Sequence, residues 1–155
     1  MKKDNQDEIR VKQYLQTLNY THLEYEPLGN VTPDFVIDNH IAIEVRRLNR
    51  NYLKDEHLVQ IESCQITLDD TQKDNPAYII DDLHKNIQLV IDEKNNKINN
   101  NFPYYDEWWL ILVDYITYGM SQKDFEELNK FPLKKQKFSK ILILSPKGDF
   151  KVFKL

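Results

Sequence analysis

Glycine is nearly absent. Gly29, Gly119 and Gly148 are the three in 155 residues, so no glycine-rich loop exists to cradle a nucleotide phosphate, and Walker and dinucleotide-binding sites are excluded. Cysteine is rarer still. Cys64 stands alone, which rules out an intrachain disulfide and a cysteine-based zinc site and fits a reducing compartment. Long apolar runs are missing too: the longest, Trp108 to Val113, is far too short to span a bilayer. The start, Met1 to Glu8, runs into acids without the apolar stretch of a signal peptide. The expectation is a cytoplasmic protein with no membrane segment.

A surplus of basic charge is also lacking, since the formal net charge is -4, which argues against a general nucleic-acid binder. The distribution says more than the total. Residues 1–54 hold 8 basic and 8 acidic groups, residues 55–129 hold 5 and 16, and residues 130–155 hold 8 and 1. The C-terminal lysines therefore read either as a phosphate-facing patch or as charged decoration guarding edge strands against aggregation.

What is present is ordinary for one globular domain over residues 1–155: 18.6 kDa with 41% apolar residues, enough to bury roughly 70% of the unfolded surface without a disulfide or structural metal. Ile9, Val11, Leu15 and Leu18 predict an amphipathic helix over about 6–20. His22 to Leu28, Asp34 to Ile37 and Ile41 to Val45 read as strands. The stretch 48–71 is mixed, with a helix expected near 55–62 and a short strand near 65–68. From Pro76, a first-turn proline, the spacing predicts a long helix to about Lys97, with Lys85, Glu93, Lys94 and Lys97 on its polar face. The Asn-rich helix end from Asn95 to Asn101 reads as a loop. Trp108 to Val113 predicts a central strand buried on both faces. Ser121-x-x-Asp124 opens a short helix, and Ile141 to Phe153 closes the chain as a hairpin. This order implies an α/β fold, bordering on α+β, with a mixed sheet flanked by helices.

The informative stretch runs from Pro33 to Arg46. In a strand, Ile41, Ile43 and Val45 point one way and Ala42, Glu44 and Arg46 the other, so one face is core and the other polar. Asp34, Val36 and Asp38 lie opposite Phe35 and Ile37. A three-residue loop, Asp38-Asn39-His40, pairs Ile37 with Ile41, Phe35 with Ile43 and Asp34 with Glu44, whereas a two-residue loop puts the acids on opposite faces. Burial of the apolar residues selects the longer loop. Asp34 and Glu44 then have Cβ atoms about 5 Å apart, an unfavourable like-charge pair unless a cation such as Mg2+ or Mn2+ neutralises it. Arg46 stands on the same face.

At Pro33-Asp34 and Glu44-Val45-Arg46 the chain resembles the PD-(D/E)XK nucleases, the restriction-endonuclease-like fold. The resemblance implies a metal-dependent nuclease acting on nucleic acid, with Asp34 and Glu44 as metal ligands. Arg46 stands where that family has lysine. Arginine keeps its proton and cannot act as a general base, but it can hold a phosphate. The resemblance offers Lys94 as a displaced lysine and Glu8 as an additional acidic ligand. Arg47 and Arg50, just beyond the motif, are candidate phosphate contacts. The competing readings are a catalytically silent member of the fold that binds nucleic acid or a protein partner, and a domain working within a homo-oligomer or larger assembly. His22, His40, His57 and His84 lack metal-ligand spacing and read as structural. Cys64 reads as a small apolar residue, and Trp108 and Trp109 as packing rather than base-stacking groups.

Overall fold

The computed structural model describes residues 6–25, 33–48, 51–54, 57–60, 76–101, 105–114, 122–145 and 150–155. Their order is α1 (Gln6–Gln16), β1 (Leu23–Tyr25), β2 (Phe35–Ile37), β3 (Ile41–Leu48), β4 (Asn51–Lys54), β5 (His57–Gln60), α2 (Pro76–Asn101), β6 (Glu107–Asp114), α3 (Gln122–Leu128), β7 (Phe138–Leu144) and β8 (Val152–Lys154). Six strands form one mixed sheet in the order β1-β2-β3-β6-β7-β8. The centre, β3-β6-β7, is parallel, and the flanking pairs are antiparallel.

Side-chain alternation sends each central strand into two cores. On one face Val11 and Leu15 of α1 pack against Phe35, Ile43, Trp109 and Ile111. On the other, Leu83, Ile87, Val90, Ile91 and Ile98 of α2 and Leu128 of α3 cover Ala42, Leu48, Leu110 and Leu112. The helix-flanked sheet expected from the residue pattern is therefore present. β6 is central and buried on both faces, as its apolar run requires. No helix among the described residues is long and apolar enough to cross a membrane.

The β2–β3 hairpin has the register that burial demanded: Ile37 faces Ile41, Val36 faces Ala42 and Phe35 faces Ile43. Asp38 and Asn39 adopt positive φ angles of 50° and 65°, which these two residue types tolerate well. The His40 amide donates to the Ile37 carbonyl at 3.1 Å. Asp38 is also tied to β1, because the His22 amide donates to Asp38 Oδ1 at 2.8 Å.

Several boundaries differ from expectation. α1 stops at Gln16 rather than near residue 20, because Thr17 and Leu18 donate to Tyr14 and Leu15 at 3.0 and 3.1 Å, three-residue bonds that tighten and end the helix. No helix occupies the middle of 55–62: His57–Gln60 is a strand paired antiparallel to β4, with Leu53 opposite Leu58 and Tyr52 opposite Val59. Val and Tyr are strand-favouring types, and pairing outweighs a weak helical period. The strand expected at 65–68, Cys64, Arg50 and the Ser121 cap lie outside the described residues.

α2 also runs past its expected end near Lys97 to Asn101, so the Asn-rich end that reads as a loop is helix. Asn95 is completely buried, donating to the Ile91 carbonyl at 2.9 Å and accepting the Lys137 amide at 3.0 Å. Tertiary contacts here override the poor helix propensity of asparagine.

Candidate active site

The site forms where β2 begins and α2 crosses β3. Asp34 sits one residue before β2 and extends the hairpin. Its amide donates to the Ile43 carbonyl at 3.1 Å, and its Oδ2 accepts the Val45 amide at 2.8 Å. The carboxylate is thereby fixed against the β3 backbone beside Glu44. Alternation puts Glu44 on the same face as Ala42 and Leu48. The polar face expected there is covered by α2, so Glu44 is only 1% exposed.

Lys94 reaches this place from α2. Its charge and the sequence pattern put it on the helix's polar face, but it is buried, at 8% exposure. The reason lies in its spacing: Leu83, Ile87, Val90, Ile91 and Ile98 form the stripe facing the sheet, and position 94 is four residues after Val90 and four before Ile98. Lysine thus occupies a core position, where such a charge is rare without a partner.

The electrostatics are those of a crowded acid pair. Burial, then a hydrogen bond to Glu44, then the Glu44 charge push the Asp34 carboxyl up to about 7, against the lowering effects of the Val45 amide and the Lys94 ammonium. Below about 7 Asp34 therefore carries a proton beside Glu44. Glu44 Oε1 and Arg46 Nε are both buried with no hydrogen-bond partner among the described residues. An unmatched charged acceptor of this kind costs more than the roughly 1–3 kcal/mol of a neutral one.

This set of oxygen donors fits a hard divalent cation. Mg2+ and Mn2+ prefer oxygen ligands, and Mg2+ needs only one or two carboxylates, with water and substrate oxygens completing its shell. Asp34 and Glu44 are the residues that would hold it. Among the described residues no group of three His, Cys, Asp or Glu side chains is arranged for a metal. Glu8 therefore does not join the pair. It lies on α1 and accepts the Tyr25 hydroxyl at 2.6 Å.

Arg46 follows Glu44 on the same side of β3, partly exposed, its Nε unmatched. Arg47 points to the α1 side, where its Nε and Nη2 donate to Asp7 at 3.0 and 3.3 Å. Its guanidinium ties α1 to β3 and is separated from the acid pair by the sheet. Trp108 and Trp109 are buried in opposite cores, which excludes base stacking. His22 bonds Glu24 at 3.0 Å, and His84 donates to the Pro132 carbonyl at 2.7 Å.

No family model, no curated protein and no solved structure matches this chain.

Proposed function

We propose that the protein is a divalent-metal-dependent nuclease of the PD-(D/E)XK type, hydrolysing phosphodiester bonds in nucleic acid. The observation that carries this reading is the meeting of Asp34, Glu44 and a buried Lys94 at one point of the sheet. In a purely structural core that trio is a liability, since two acids and an amine are withdrawn from water for little net gain. Perturbed, crowded ionisable groups of this sort are what hydrolytic sites require.

A Mg2+ or Mn2+ ion bound by the two carboxylates would supply Lewis acidity, easing deprotonation of a water nucleophile and neutralising phosphate charge. The residues do the remainder. Lys94 donates hydrogen bonds that orient the attacking water and offset charge growing on the phosphate oxygens. Arg46, always protonated, donates its unmatched Nε to a non-bridging oxygen and fixes the phosphate in register. Asp34, neutral below about 7, would have to lose its proton to serve as a cation ligand, so turnover is expected to rise with pH through that range.

Arg46 in place of the family's lysine favours one second reading: a silent relative that grips nucleic acid without cutting it. Incubation of single- and double-stranded substrates with Mn2+ distinguishes the two. The expected result is cleavage that falls at least about 100-fold in Glu44→Gln. Binding without cleavage by the unaltered protein selects the silent relative.

A further inference from the structure

α2 does a second job along a stripe beside the one that meets the acid pair. Its side chains at 84, 88, 92 and 95 stand one above another at helical spacing, and all four engage the segment joining α3 to β7. His84 donates to the Pro132 carbonyl at 2.7 Å. The Gln88 amide pairs with both backbone groups of Lys134, donating to its carbonyl at 3.1 Å and accepting its amide at 2.9 Å. Asp92 Oδ1 accepts the Gln136 side-chain amide at 2.8 Å. Asn95 accepts the Lys137 amide at 3.0 Å and donates to the Lys135 carbonyl at 3.4 Å. These bonds hold Gln136 at a φ of 55°, a conformation uncommon for a residue with a Cβ, and strained residues of this kind cluster at ligand clamps and active sites.

The shape so enforced displays cations and an aromatic ring. The run Lys130-Phe131-Pro132-Leu133-Lys134-Lys135-Gln136-Lys137 holds four lysines and no acid. Lys130 is spent on Glu127, at 2.7 Å, but no described acidic side chain pairs with Lys134, Lys135 or Lys137. Phe131 is 39% exposed, its ring braced 5.4 Å from the His84 ring. Solubility or edge protection needs lysines; it does not need a clamped backbone or an outward phenylalanine.

We infer that the clamped 130–137 segment is a docking surface for a single-stranded nucleic acid, with Lys134, Lys135 and Lys137 on successive phosphates and Phe131 under a base. The choice of nucleic acid over other polyanions rests on the nuclease reading and on Phe131, because bases stack on aromatic rings and simple anions do not. Clamping lowers the ordering cost of binding, which is what a preorganised contact contributes.

The test is fluorescence anisotropy of a labelled single-stranded DNA of about 15 nucleotides, titrated across a salt series in EDTA, so that a failed metal site leaves this readout untouched. The Lys134→Gln/Lys135→Gln/Lys137→Gln variant is expected to flatten the slope of log affinity against log salt by about 2, at about 0.7 per lost phosphate contact. Phe131→Ala should weaken binding about tenfold with the slope unchanged. Gln88→Ala, which keeps every charge but loosens the clamp, should weaken binding about threefold, again at constant slope. An unaltered slope in the lysine variant overturns the inference. So does capture by phosphatidylserine vesicles with no DNA binding, which would make the surface a membrane contact.

Discussion

Asp34→Asn is expected to stabilise the metal-free protein by about 2–4 kcal/mol near pH 8 and to leave it unchanged near pH 4. The sign follows from the direction in which folding moves this carboxyl, from 3.8 up to about 7. Below the lower value both folded and unfolded chains hold the proton, and the group contributes nothing. Between the two, the unfolded chain has lost it while the folded chain keeps it, so stability falls as pH rises. Above about 7 the penalty is complete, about 4 kcal/mol at 1.36 kcal/mol per pH unit, and contact of Asp34 with solvent reduces it. Asparagine removes the charge and keeps an oxygen for the Val45 amide. Urea melts of both proteins in EDTA, at the two pH values, read the difference directly. A variant less stable than the parent at the higher pH would mean that Asp34 is a structural carboxylate.

Lys94→Met should fold, bind Mn2+ more tightly than the parent and lose cleavage by about 100-fold or more. Methionine suits the apolar stripe that Lys94 interrupts and fills irregular gaps readily. The lysine is not a metal ligand, and its charge opposes an arriving cation while pulling the Asp34 carboxyl down. Removing it therefore raises the pH at which Asp34 titrates and relieves repulsion of the ion. Only the orientation of water and the offset of phosphate charge are lost. Retained cleavage in this variant would assign the catalytic cation to Arg46 instead.

The geometry around Asp34 was open to reading because a strand has a period of two. Four apolar residues, Phe35, Ile37, Ile41 and Ile43, admit one hairpin register that buries them all, and that register sets Asp34 beside Glu44. The layer order followed for a similar reason, since Trp108 to Val113 can be satisfied only at a sheet centre covered twice. Other features were hidden by the limits of local pattern. Glu44 is covered by α2, a long-range contact that no strand periodicity reports. The charge of Lys94 points to the polar face of α2, although its spacing from Val90 and Ile98 marks the buried face. The run of asparagines from Asn95 to Asn101 points to a loop at the helix end, although Asn95 is the polar pin between α2 and Lys137. In the last two cases residue type points one way and helical position the other, and position decides.

The central claim is that Asp34 and Glu44 form a divalent-cation site, and calorimetric titration with Mn2+ tests it most directly. The parent protein and an Asp34→Asn/Glu44→Gln double variant are titrated near pH 8, above the value of about 7 at which Asp34 loses its proton. Saturable binding near one ion per chain that vanishes in the double variant is the result expected here. Identical heats from both proteins would contradict the claim and leave the acid pair without its cation.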